Sequence, residues 1–413
     1  MSQRPFKFVH AADFHLELPG EGCPDVPDSL AELLIECPYR AAEQVFDTAI
    51  ADEVDFVLLS GNLLDVDLTG PRGMIFLIEQ FERLRQRRIE VYWAAGEVDA
   101  AERRSASFRI PDNVRIFSSL RPEEVTVSRD GLKLLQITGW SRPPGERIRT
   151  GDFRPDPGGL FSIAVVAGDV PTDEPVGRGI HYWALGGESQ RRTTSLFGAM
   201  AHWPGSPQGR SFDDPGAHGC TVVQVDSLGI ARDRFVPCDV VRWHHQTLPI
   251  DSTTSLETVR TSLDEAIRTA SVTNGGVEVL ARWRAATAGR VSPSLRRAGV
   301  ISDLLRSCRH AYRPQMKVWT EHVSVETEAS IDLPDPNRES VLADFLRFAD
   351  RHETAPTTDE ADQLFDFSSA AKLLGEGGRW AETLRVNDVG ERRRVLREAV
   401  VLAHDLLAEE TEL

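Results

Sequence analysis

Between residues 6 and 237 the hydrophobic positions follow two rhythms. Short, nearly continuous apolar runs alternate with stretches where apolar residues recur at helical spacing. "FKFVHAAD" predicts a strand ending in polar residues, and "RAAEQVFDTAIADE" an amphipathic helix. "VDFVLLSGN" predicts a buried strand, and "GMIFLIEQFERLRQRR" a helix whose basic end suits the helix dipole. "IEVYWAAGE" is the next buried strand. Strands that alternate with helices in this way predict a largely parallel sheet covered by helices. Shorter strands follow in "VTVSRDGLKLLQITGW", with a turn at Arg129–Gly131, then in "FSIAVVAGD" and "HYWALGG". "GCTVVQVDSLGIARDRFVP" has a turn near Ser227–Gly229 and predicts a hairpin.

From Val241 the pattern restarts. "VRWHHQTLPI", "GVEVLARWRAAT" and "QMKVWTEHVSVET" predict strands, and "SLETVRTSLDEAIRTA" and "SPSLRRAGVISDLLRSC" predict helices. This gives a small α/β module over 241–330. The linker "IDLPDPNRES" has two prolines and marks a boundary. A helical segment is expected over 337–413, in "SVLADFLRFADR" and "ERRRVLREAVVLAHDLLAEE".

Composition changes the picture modestly. The 413 residues are 41% hydrophobic and 27% charged, ordinary for a globular protein. No apolar run is long enough to span a bilayer and no signal-peptide core opens the chain, so a cytoplasmic location away from membranes is expected. Five cysteines with no two-residue spacing argue for reduced thiols rather than a disulfide framework or zinc knuckle. A formal net charge of −17 disfavours non-specific binding to phosphate backbones and leaves DNA contact only to a local patch. No Lys follows a Gly-rich loop, which excludes a Walker-type nucleotide site, and no Gly-x-Ser-x-Gly motif suggests a serine nucleophile.

Open α/β sheets place ligand sites outside the carboxyl ends of their strands. Here those ends read "ADFH" (Asp13, His15), "SGNLLD" (Asn62, Asp65), "AGEVDA" (Glu97, Asp99), "AGDV" (Ala167, Asp169) and "GGES" (Gly187, Ser189). In this order the series resembles the calcineurin-like metallophosphoesterases, and most of all the SbcD-type exonuclease subunit of DNA double-strand-break repair complexes. That family runs Asp-x-His, Gly-Asp-x-x-Asp, Gly-Asn-His-Asp, a strand-end His and Gly-His-x-His. "WPGSPQGRSFDDPGAHGC", Trp203 to Cys220, resembles the family's segment after the last ligand motif. The resemblance covers about the first 240 residues.

The resemblance implies a metallophosphoesterase four-layer β-sandwich flanked by helices over 1–240. An α/β capping domain over 241–330 and a C-terminal helical partner-binding segment would follow. The family's chemistry uses two metal ions about 3.5–4 Å apart, which clamp a phosphodiester and generate a hydroxide. A separate His serves the leaving group. Carried over position by position, Asp13 and His15 match the first motif. The bridging carboxylate falls on the neutral Asn62, the amide ligand on Glu97, and the catalytic His on Val98. The strand-end His falls on Ala167, and the last two His on Gly187 and Ser189. Asp65 and Asp99 keep the supporting acids.

Asp13, His15, Asn62 and Glu97 are therefore a degenerate metal set, for manganese if any metal binds. Arg191, Arg192 and Arg210 are candidate phosphate contacts. His202 and His218 are expected to make structural hydrogen bonds. His244 and His245 alternate along a strand and form no joint site. Three functions follow from this pattern. One is a non-catalytic subunit of a DNA-repair assembly, dimerising and docking an SMC-like coiled-coil ATPase (SbcC-type) through the C-terminal helices. Another is an active metal-dependent exonuclease or phosphodiesterase with an altered site. The third is a DNA- or nucleotide-sensing module.

Overall fold

The computed structural model describes residues 4–100, 109–168, 170, 179–196, 198–287, 292, 295, 299–313, 315–327, 341–354 and 399. Two six-stranded sheets dominate them. The first contains β1 (Phe6–Ala11), β2 (Phe56–Leu59), β3 (Glu90–Trp93), β4 (Val114–Ile116), β11 (Gly219–Val225) and β12 (Ala231–Pro237), in the order β12-β11-β1-β2-β3-β4. Strands β1 to β4 are parallel, and β11 and β12 return antiparallel. The second contains β5 (Glu123–Arg129), β6 (Leu132–Trp140), β7 (Phe161–Ala167), β8 (Tyr182–Gly186), β9 (Arg192–Leu196) and β10 (Ala199–Trp203), in the order β5-β6-β7-β8-β10-β9.

The sheets pack face to face through an aromatic layer. Phe8 stacks on Phe56 at 5.0 Å and meets Tyr182 of the opposite sheet edge-on at 5.3 Å. Ile137, Phe161, Ile163 and Val165 complete that core. The other face of the first sheet is covered by α1 (Asp28–Ala51) and α3 (Pro71–Gln86), which bury Val45, Phe46, Leu77 and Phe81 against Val57, Leu59 and Trp93. Between β2 and α3 lies the single turn α2 (Val66–Thr69). The outer face of the second sheet buries Trp140, Trp183 and Trp203 with Ile148 and Phe153 of the segment that follows β6. This is the mixed α/β fold expected from the resemblance.

The sequence pattern predicts neither β4 nor β10, and two further details differ from it for visible reasons. Helix α1 begins at Asp28, twelve residues before the periodic stretch at Arg40, and runs through Pro38. Pro38 cannot bond the Leu34 carbonyl. Gly20 N–H takes that carbonyl at 2.9 Å and Cys37 Sγ at 3.2 Å, so the break costs no unpaired acceptor. Strand β9, "RTTSL", was not read from the sequence, because four of its five residues are exposed and it has no apolar alternation.

Beyond the sheets, β13 (Val241–Pro249), β14 (Glu278–Thr287) and β15 (Val318–Thr327) form a third sheet in that order. Helices α4 (Leu256–Thr273) and α5 (Val300–Ala311) follow its first two strands. Helix α6 spans Val341–Thr354, while "ERRRVLREAVVLAHDLLAEE" and Asp169 lie outside the described residues. By compactness the chain divides into two units. One holds Met1–Thr247, Leu263–Arg284 and Leu305–Val323, and the other Leu248–Ser262, Ala285–Leu304 and Ser324–Leu413.

Candidate active site

The parallel strands of both sheets end at one edge of the sandwich, and the residues singled out from the sequence meet there. Asp13 and His15 follow β1, Asn62 follows β2, Glu97 follows β3, Ala167 closes β7 and Gly187 follows β8. The turns are strained. Asp13, His15 and Asn62 have φ of 55°, 45° and 57°, a left-handed conformation uncommon for non-glycine residues. Such backbone persists only where its surroundings hold it, and it concentrates at functional sites. Two backbone bonds tie these turns together, Asp13 N to Gly61 O at 2.9 Å and His15 N to Asn62 O at 3.1 Å. The glycines here make the close approach. A Cβ on Gly186 would lie 1.9 Å from Ser60 O, and one on Gly96 would lie 2.4 Å from Asn62 Oδ1.

Asp13 is buried, and both of its carboxylate oxygens accept hydrogen bonds. Asn62 Nδ2 donates to Oδ1 at 2.8 Å, and Gly187 N to Oδ2 at 2.7 Å. Burial pushes its pKa up to about 6, even though both hydrogen bonds favour the charged form. Asn62 also accepts from Glu97 N at Oδ1, at 3.1 Å. A carboxylate on one side and an N–H on the other leave its amide a single orientation.

His15 Nδ1 lies 2.9 Å from Glu17 Oε1, and Glu17 Oε2 accepts from Asp65 N at 2.9 Å. Burial alone would raise the Glu17 pKa, but the bonds from His15 and Asp65 outweigh it and hold it below the usual range. An ionised Glu17 makes His15 Nδ1 the protonated nitrogen. Glu17 was missed in the sequence. The signal was its spacing, two residues beyond His15 within a tight turn that Leu18 N closes on His15 O at 2.9 Å.

The two supporting acids hold backbone. Asp99 is fully buried and accepts from Asn62 N at 3.2 Å, Leu63 N at 3.1 Å, Gly96 N at 2.5 Å and Trp93 Nε1 at 3.1 Å. Asp65 caps α2 by accepting from Asp67 N at 2.9 Å. The positions of the family's imidazoles are at this edge too. Val98 is half-buried, and the Ala167 methyl lies 2.5 Å from where a Cβ on Gly61 would sit. Ser189 Oγ donates to Asp214 Oδ1 at 2.6 Å.

The three candidate arginines are each engaged by an acid. Arg191 pairs with Asp233, Arg192 with Glu188 while stacking on Trp203 at 3.7 Å, and Arg210 with Asp214 at 3.9 Å. His202 is bonded to Thr193 at 2.7 Å and Thr221 at 2.8 Å, and His218 to Ser206 at 3.1 Å. Both are thus structural. "GSPQG" is explained by Gln208. Its amide donates to Val241 O at 2.6 Å and Gly209 O at 2.7 Å, and accepts from Val240 N at 3.0 Å and Val241 N at 3.3 Å.

Two clustered dications need several anionic and imidazole donors converging on one point. Among the described residues, no group of three or more His, Cys, Asp or Glu side chains converges in that way. Asp13 is occupied on both oxygens, and Asn62 turns its N–H rather than its oxygen towards it. The residues present do not fit a binuclear centre.

No protein-family model matches the chain. It is 29% identical over 257 residues to the uncharacterized metallophosphoesterase YhaO of Bacillus subtilis (strain 168), a match covering 59% of this chain and 63% of that protein. The chain thus spans less than two thirds of that relative's length. A dimetal phosphatase from Danio rerio is similar in structure, at a TM-score of 0.33 and 8% identity over 55% of this chain and 98% of that one. An archaeal phosphodiesterase gives a TM-score of 0.28 at 10% identity, over 56% and 99%. The two-sheet unit is mixed α/β and similar to these metallophosphoesterases, and its strand-end residues depart from the ligand pattern of the family that the sequence resembles.

Proposed function

We propose that this chain is a non-catalytic, SbcD-like member of the superfamily, a scaffold subunit of a DNA-repair complex with an SMC-like coiled-coil ATPase. In this reading 241–330 serves as a cap and 337–413 docks the ATPase. What supports the absence of turnover is the donor set at the strand ends. Val98 cannot move a proton, Ala167, Gly187 and Ser189 supply no imidazole, and Asn62 faces Asp13 with its amide N–H. A missing general acid or base alone costs about 10²–10⁴-fold in rate. Without clustered cations, nothing at Asp13 would generate a hydroxide or neutralise a phosphodiester.

The test is hydrolysis of linear duplex DNA and of a chromogenic phosphodiester in manganese, with Asp13→Ala beside the wild type. No turnover above the variant is expected. Manganese-dependent cleavage abolished by Asp13→Ala would instead establish an active enzyme with an altered site. Co-purification of a large coiled-coil ATPase with the full chain, lost on truncation after residue 336, tests the partner.

A further inference from the structure

We infer that the Asn62 side-chain amide does the structural work that a bound cation would do at this edge, so that the site is assembled without metal. The inference rests on the reading of the site as non-catalytic and says how that site is held. Three non-glycine residues in left-handed conformation, Asp13, His15 and Asn62, sit in adjoining turns. Each costs on the order of 1 kcal/mol, and together they require something that fixes them. In a binuclear centre that role falls to ions shared between the strand ends. Here the shared group is one neutral amide. Its Nδ2 holds Asp13 after β1, and its Oδ1 holds the Glu97 backbone after β3. Through the other Asp13 oxygen the chain of bonds reaches Gly187 after β8, on the second sheet.

The amide also excludes a cation. A metal at Asp13 Oδ1 would need an oxygen from residue 62. Turning the amide to present one would break both of its bonds and set Oδ1 against a carboxylate. A carboxylate at position 62 reverses the situation. Asp13 and an aspartate at 62 would repel across a water-poor gap, and a divalent cation would relieve the repulsion. His15 has the tautomer such an ion needs, because its Nδ1–H donates to Glu17 Oε1 and leaves Nε2 with a lone pair. That is how a carboxylate orients a metal-binding histidine.

The experiment compares the melting temperatures of the full-length wild type, Asn62→Asp and Asn62→Leu, in EDTA and in millimolar manganese. Turnover is measured on the same samples. The wild type is expected to melt at the same temperature in both. Asn62→Asp should melt lower in EDTA by roughly 5–10 °C and recover at least half of that loss in manganese. Asn62→Leu should lose a similar amount and recover nothing. Isothermal titration should detect manganese heat for Asn62→Asp alone. A manganese-induced rise in the wild type, or an Asn62→Asp protein that is neither destabilised nor rescued, would overturn the inference. Wild-type turnover that persists in EDTA would overturn the non-catalytic reading and leave the inference standing, whereas turnover that needs manganese would overturn both.

Discussion

Replacing Asp99 should be among the most damaging single changes in the phosphoesterase unit. This carboxylate is fully buried and accepts four N–H groups, from Asn62, Leu63, Gly96 and the Trp93 indole, at 2.5–3.2 Å. Asp99→Ala leaves these donors without an acceptor. A buried donor deprived of its partner costs about 1–3 kcal/mol, and bonds to charged groups lie at the upper end. Water entering the space left by the carboxyl can satisfy some of the four, so a total of about 3–5 kcal/mol is expected. Asp99→Asn keeps the volume but replaces one acceptor by a donor facing other donors, and should cost about 2–4 kcal/mol. Urea denaturation followed by circular dichroism measures both, with an unchanged slope locating the effect in the native state. A loss below about 1 kcal/mol for Asp99→Ala would show that these geometries do not describe real bonds.

Four further outcomes follow. His202 is held down to about 4, first by burial and then by Arg191, so it folds neutral. The unfolded chain binds its proton near pH 6.5, and the stability from the neutral ring is present above that and lost as pH falls towards 4. The loss should be about 2 kcal/mol between pH 7.5 and 5, read as wild type minus His202→Gln because Asp13, raised to about 6, acts in the opposite direction. Gly186→Ala should prevent folding to a soluble product, since its Cβ would overlap the Ser60 carbonyl at 1.9 Å, and solubility on expression checks it. Gln208→Ala leaves two buried N–H groups and a carbonyl without partners and should cost about 2–4 kcal/mol in the same urea assay. All five cysteines are free and buried, so a thiol reagent should label the native protein slowly and take up five equivalents on unfolding.

The central strands were legible because burial on both faces leaves little room for polar residues. β2 is apolar throughout and β7 has one polar residue, Ser162, and Asn62 and Ala167 stand at their ends. The order of the strand-end motifs supplied the fold. What was not legible depends on contacts distant in sequence. The start of α1 was hidden by Pro38, which leaves the Leu34 carbonyl to find Gly20 N–H only in three dimensions. Strand β9 pairs with β10 and exposes four of its five residues, so its Thr and Arg carry no apolar alternation. The polar layer inside the sandwich was equally silent. His10 in β1 meets Tyr182 at 3.0 Å and Ser60 at 2.8 Å, and Ser60 Oγ donates a hydrogen bond to the Leu185 carbonyl at 3.0 Å. A histidine within "FKFVHA" gives no hint of partners 50 and 172 residues away.

The site itself separates into positions that match the superfamily's pattern and positions that do not, and the structure gives a physical basis for the division. Each matching acid also holds backbone. Asp99 takes three main-chain N–H groups, Asp65 caps α2, and Asp13 takes Gly187 N across the two sheets. Removing Asp99 or Asp13 leaves buried donors without an acceptor, and removing Asp65 uncaps a helix turn, so the fold itself resists the change. Val98, Ala167 and Gly187 have no such duty for a side chain. An imidazole at those places would serve an ion or a substrate and nothing in the protein's own framework. On the proposed non-catalytic reading these positions can take any residue that fits, whereas Asp13, buried, still needs a donor at Oδ1. Asn62, isosteric with aspartate, is that donor at 2.8 Å, the bond that the inference above sets in the place of an ion.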